Sequence, residues 1–131
     1  MKIMLDTNVL ISAFVFGGKT GRLLLKLLDS NHKLYVSEYV DSELKAKLEL
    51  KWPNKAERVY NLYHEMDFCF CTSVHERLGV LRDEKDIPVL SDALYHEVDM
   101  ILTGDRDFLE ANHEKPFIFL PAMLDEFLNN V

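Results

Sequence analysis

The sequence predicts a three-layer α/β/α sandwich around a mainly parallel, five-stranded central sheet. Two observations carry that prediction. Short apolar runs recur at 2–5, 34–36, 68–71, 100–103 and 117–120. Longer segments with apolar residues at helical spacing separate them, and this alternation is the pattern of parallel strands joined by crossover helices.

Lys2 to Leu5 reads as a strand buried on both faces and closed by Asp6. Val9, Leu10, Ala13 and Phe14 have helical spacing, and Gly17-Gly18 ends that segment. Leu23, Leu24, Leu27 and Leu28 mark a second helix, which fades at Asp29-Ser30-Asn31. Leu34-Tyr35-Val36 is the second strand. Ser37 suits the N-cap of a helix carrying Val40, Leu44 and Leu48. Beyond Pro53-Asn54, Ala56, Val59, Tyr60, Tyr63 and Met66 mark another helix, with Tyr60 and Tyr63 read as core. Trp52 fits either the core or a partner surface.

Phe68 to Cys71 is the third strand, and Cys69 and Cys71 are expected as buried thiols. Asp83 to Pro88 opens a helix with Val89, Leu90, Ala93 and Leu94 on its apolar face. Proline is tolerated in a first turn, where its missing N–H would have no helical partner. Met100 to Thr103 and Phe117 to Leu120 complete the strands. Met123, Leu124, Phe127 and Leu128 form the last amphipathic stripe.

Residues 1–131 read as a single domain, with enough chain to bury a core. Hydrophobic residues at 48% and charged residues at 28% exclude a disordered chain. A net charge of −7 excludes a global electrostatic pull on nucleic acid. No apolar run is long enough to span a bilayer, and Asp6 interrupts the start before a signal-peptide core could form. No membrane association and a cytoplasmic location are therefore expected.

Chemistry concentrates in the carboxylates. Asp6 ends the first strand, and Asp105 follows the fourth through Thr103-Gly104. In an open parallel sheet the carboxyl ends of the strands line the ligand crevice. Asp86 opens a helix at that edge. Glu43 lies about two turns into the helix after the second strand, pointing inward if it shares the stripe of Val40 and Leu44. Each acid alone also reads as a helix cap or a solvated side chain. Together, two carboxylates about 4 Å apart repel by roughly 4 kcal/mol at an effective dielectric near 20. A cluster without a basic partner therefore calls for a cation. Oxygen donors without imidazole or thiolate favour Mg2+ or Mn2+. Such an ion suits attack on a phosphodiester. The five histidines show no ligand spacing, and His64-Glu65 is not part of an HExxH pattern.

Four blocks resemble the PIN domain family in family order. They are Asp6-Thr7-Asn8-Val9-Leu10-Ile11-Ser12-Ala13, Ser42-Glu43-Leu44, Asp86-Ile87-Pro88-Val89-Leu90-Ser91-Asp92-Ala93-Leu94 and Thr103-Gly104-Asp105-Arg106-Asp107-Phe108. The shape is similar to short single-domain members related to VapC-type toxins. The resemblance implies a PIN-like fold and a metal-dependent ribonuclease, with RNA as substrate. It also implies a homodimer and a small antitoxin protein as partners. It carries catalytic and metal-binding roles onto Asp6, Glu43, Asp86 and Asp105. Asp107 becomes a secondary metal ligand, and Thr7, Asn8 and Thr103 supporting polar groups. Many relatives have a further acid where this chain has Ile87.

RNA needs positive charge nearby. Lys19 and Arg22 follow the Gly17-Gly18 break, and Arg82, Lys85 and Arg106 flank two of the blocks. Lys45, Lys47, Lys51, Lys55 and Arg58 form a further basic stretch, which reads equally well as a solvated helix face. Three other readings compete. A toprim-type nuclease would want a glutamate where Asp6 stands. A receiver-type phospho-acceptor would want adjacent acids after the first strand and a lysine after the last. A catalytically silent interaction module on the same fold would not need the four acids.

Overall fold

The computed structural model describes residues 1–74, 86–105 and 116–129, with Asp86 and Ile87 as backbone only. Its strands are β1 (Lys2–Leu5), β2 (Lys33–Ser37), β3 (Cys69–Cys71), β4 (Met100–Leu102) and β5 (Phe117–Phe119). They form one sheet in the order β3-β2-β1-β4-β5, and every pairing is parallel. The central strand carries the driest residues, with Ile3, Met4 and Leu5 fully buried.

The chain builds outward from β1 to β2 and β3, then crosses back to β4 and β5. The switch in direction therefore falls between β1 and β4, and a crevice opens there outside the carboxyl ends of the strands. Register brings Leu5 opposite Leu102, so Asp6 and Thr103 leave the sheet side by side.

The crossovers supply the helices: α1 (Thr7–Ile11), a π-helix (Ser12–Phe16), α2 (Gly18–Leu28), α3 (Glu38–Lys51), α4 (Ala56–Glu65), α5 (Asp86–Tyr95) and α6 (Pro121–Asn129). None among the described residues is long and apolar enough to cross a membrane. Ser37 caps α3 as expected, its side chain accepting the Val40 N–H. The expected start of α5 at Asp83 lies outside the described residues.

Two local expectations change. The first helix does not stay α-helical to Phe14. It widens to a π-helix, whose last bond runs from the Gly17 N–H to the Ser12 carbonyl at 2.9 Å. Gly17 and Gly18 then take φ of 75° and 57°, conformations open to glycine, and the chain doubles back. The widened turn packs Phe14 edge-on against Tyr63 and Phe68 and leaves Phe16 70% exposed. Cys69 and Cys71 are half-buried rather than buried, because β3 is an edge strand covered less fully than the centre. Burial still pushes the Cys71 thiol up to about 11, and the negative neighbours Asp92, Cys69 and Glu38 add to it.

Tyr63 is fully buried, as its spacing predicts, but it is not a plain core residue. Its hydroxyl donates to Asp41 Oδ1 at 2.9 Å, and Tyr60 donates to Asp41 Oδ2 at 2.9 Å. His64 Nε2 lies 3.0 Å from the same Oδ1, and its ring stacks on Phe70. The cluster ties α3 to α4. Burial raises both phenols, Tyr60 to about 12 and Tyr63 higher, and Asp41 adds to each. Tyr63→Phe removes one donor while Asp41 keeps two. A loss of about 1–1.5 kcal/mol is expected by urea unfolding, with the m-value unchanged.

Candidate active site

Asp6 is the best-defined group at the crevice. Its backbone N–H donates to the Leu102 carbonyl at 3.0 Å, which extends the β1–β4 pairing by one residue. Its side chain is the N-cap of α1, with Oδ1 accepting the Thr7 N–H at 2.8 Å. Oδ2 accepts the Thr103 hydroxyl at 2.7 Å. The ordinary reading of Asp6 as a cap is thus correct, and it coexists with a place at the crevice.

The residue is only 8% exposed. Burial raises its pKa above the usual carboxylate value, opposed by the hydrogen bonds from Thr103 and Thr7. Glu43 raises it further and Lys47 lowers it, so both charges lie within electrostatic reach of Asp6.

Thr103 links the two central strand ends. Its Oγ1 donates to Asp6 and accepts the Asp105 N–H at 3.1 Å, which holds the start of the turn after β4. Asp105 is half-buried there. Glu43 is half-buried on the flank of α3, beside the stripe of Val40 and Leu44 rather than on it. The Tyr39 hydroxyl donates to Glu43 Oε2 at 3.4 Å. Lys47 Nζ lies 3.8 Å from Glu43 Oε1, one helical turn on. The expectation of acids without a basic partner therefore does not hold for Glu43. A partly exposed pair at this spacing stabilises by about 0.5 kcal/mol at most.

Thr7 Oγ1 is buried and has no hydrogen-bond partner among the described residues. Native structures leave few such atoms unpaired, and this one belongs to the residue that follows Asp6. Asn8 is exposed in the first turn of α1. Asp6, Glu43 and Asp105 are the predicted acids whose side chains are described; Glu38 and Asp92 also stand at the carboxyl edge, each accepting from residues just past β3. Among the described residues no group of three or more His, Cys, Asp or Glu side chains is arranged to hold a metal ion. Asp86 begins α5, but its side chain lies outside the described residues, as do Arg82, Lys85, Arg106 and Asp107.

Lys19 and Arg22 are exposed at the start of α2. Lys19 borders a hollow shared with Pro121, Asp125 and Asn129 of α6. Arg22 borders an apolar groove lined by Leu25, Leu28, Leu62 and Met66. The cation that the structure brings to Glu43 is Lys47, which its i,i+4 spacing would have identified.

Sequence reasoning also missed Asp92. It is fully buried, accepting the Ser73 hydroxyl at 2.8 Å and the Val74 N–H at 2.7 Å. Ser73 in turn accepts the Tyr39 N–H at 2.8 Å. The available signal was an acid three residues after Val89, on the inward face of α5.

The fold is similar to two solved structures. One is the crystal structure of VapBC2 from Rickettsia felis bound to a DNA fragment from their promoter. It is 15% identical, covering 92% of this chain and 98% of that one, with a TM-score of 0.72. The other is the structure of FitAB bound to an IR36 DNA fragment, at 19% identity, covering 91% and 94%, with a TM-score of 0.62. No curated protein matches by sequence. The PIN domain family pattern, however, matches residues 2–107, and the chain belongs to the PIN domain family.

Proposed function

We propose that this chain is a Mg2+- or Mn2+-dependent endoribonuclease and the toxin of a toxin–antitoxin pair. One observation carries the reading: a buried carboxylate, Asp6, at the switch point of the sheet, sharing its field with Glu43. A desolvated acid in the field of a second acid is costly, and Lys47, which pairs with Glu43, offsets only part of that field at Asp6. The donors fit a hard cation: carboxylate oxygens, with the residue after Asp6 carrying an unpaired buried hydroxyl, Thr7 Oγ1, and no thiolate or imidazole among the proposed ligands. Asp6 and Glu43 would hold it, with Asp86 and Asp105 completing the set and Asp107 a weaker ligand. Bound there, the ion would activate water and offset charge on the attacked phosphodiester.

The chain's own groups then divide the remaining work. Thr103 and the Thr7 N–H fix the Asp6 carboxylate, and Thr103 also fixes the turn that carries Asp105. Asn8, exposed in the first turn of α1, would donate to substrate. Lys47 offers a cation to a phosphate, joined by Arg82, Lys85 and Arg106 from the flanking blocks. We extend the proposal to a single domain over 1–131 acting in the cytoplasm as a homodimer, with a small antitoxin protein as partner. The likeness to VapBC2 and FitAB supports the partner reading through the fold.

Purified protein incubated with single-stranded and structured RNAs tests this. Cleavage is expected with Mn2+ and absent with excess chelator. Undiminished cleavage by metal-free protein in chelator would sink the metal-dependent reading. Failure to cut any RNA in the presence of metal would favour the silent interaction module.

A further inference from the structure

We propose that Phe16 and Trp52 form a base-stacking platform for single-stranded RNA, reached from the crevice along a lysine-bearing track; this rests on the ribonuclease reading above. The helical arms α1 and α3 both start at the carboxyl edge of the sheet, one capped by Asp6 and the other by Ser37. They pack together, and they end together. Phe16 closes the π-helix that continues α1, and Trp52 closes α3. Their rings meet edge to face at 5.7 Å and 82°.

The residues between the crevice and this pair repeat at helical spacing. Asn8, Ser12 and Phe16 lie four apart on the first arm, and Glu43, Lys47 and Lys51 four apart on the second. Lys51 is exposed and Lys47 partly so. The Lys55 N–H donates to the Trp52 carbonyl at 3.1 Å, so a tight turn follows the indole-bearing residue and brings a further lysine into the same turn. Lys45 is not part of the track, because its ammonium lies over the Tyr60 ring on the flank facing α4.

Core packing explains Trp52 in part, since it rests against the core. It does not explain Phe16, which is 70% exposed and lies outside the core. A large ring presented to water at the end of two arms, one of which carries Lys47 and Lys51, has the composition of a single-strand site. Every base has a face to stack, and ammonium groups follow the phosphates. Duplex RNA covers its base faces and would not use such a platform.

Trp52 is the one tryptophan of the chain, so its emission reports the platform directly. The probe is a fluorescein-labelled oligoadenylate in chelator, with binding followed by anisotropy and by Trp52 fluorescence using an unlabelled copy. Saturable quenching is expected, with affinity falling as salt rises. Phe16→Ala should weaken binding about tenfold, the scale of one lost base–aromatic stack. Lys51→Gln should reduce the slope of log affinity against log salt by about 0.7.

Binding without quenching, with Phe16→Ala at wild-type affinity, overturns the platform. No binding at all while metal-dependent cleavage persists also overturns it and leaves the ribonuclease reading standing. Quenching by oligoadenylate in a protein that cuts no RNA supports the platform and removes the ribonuclease reading. Finally, RNA affinity unchanged in Phe16→Ala but loss of self-association in sedimentation assigns the pair to a contact between copies, which again overturns the proposal.

Discussion

Asp6→Asn lowers the rate of RNA cleavage by more than about a hundredfold and leaves the fold intact. Loss of an outer-shell partner already costs a metal site ten- to a hundredfold, and Asp6 is proposed as a direct ligand. Its neighbours explain why the fold survives. Asparagine keeps an oxygen for the Thr7 N–H, and it caps helices about as well as aspartate. Thr103 can turn its hydroxyl to accept from the new amide. The change also removes a carboxylate that burial disfavours and that Glu43 repels. Cleavage assays with circular dichroism on the same samples check both halves. Full activity in a folded Asp6→Asn protein would contradict the assignment.

Asp92→Ala gives the largest stability loss expected of any polar residue outside the crevice, about 3 kcal/mol. The carboxylate is fully buried and accepts two hydrogen bonds. Bonds to a charged acceptor contribute about 1.5–3 kcal/mol each, and deletion strands the donors of Ser73 and Val74. Part of that cost is recovered if the strand end relaxes into water. Asp92→Asn keeps an acceptor for one donor and should lose only about 1 kcal/mol. Urea unfolding measures both, and amide exchange at Val74 should accelerate in the alanine variant. A loss below about 0.5 kcal/mol for Asp92→Ala would show that the segment at 72–74 is not anchored through this acid.

These two acids mark where sequence reading works and where it stops. The strands were legible because their apolar runs are bounded by Asp6, Ser37 and Gly104, and parallel pairing then placed Asp6 beside Thr103. What could not be read was side-chain partnership. The Thr103 bond to Asp6 and the three donors on Asp41 join elements distant in sequence and depend on helix rotation, which a stripe of apolar residues fixes only to within about one position. The π-helix was hidden for a related reason: its apolar spacing at Phe14 is also that of an α-helix, and only the wider turn exposes Phe16. Asp92 was passed over because an acid among apolar residues gives no sign of its partners when they lie elsewhere in the chain.

The central claim is that these carboxylates gather around a divalent ion, and thermal unfolding with and without Mn2+ tests it without any substrate. A ligand bound only to the native state raises stability by RT ln(1 + [L]/Kd), about 2.7 kcal/mol at a hundredfold excess over Kd. Wild-type protein should show a clear rise in midpoint on adding Mn2+. Metal-free Asp6→Asn should melt at or above metal-free wild type and respond to Mn2+ far less. An equal rise in both proteins, with equal metal-free midpoints, would contradict the account and leave Asp6 as a helix cap alone.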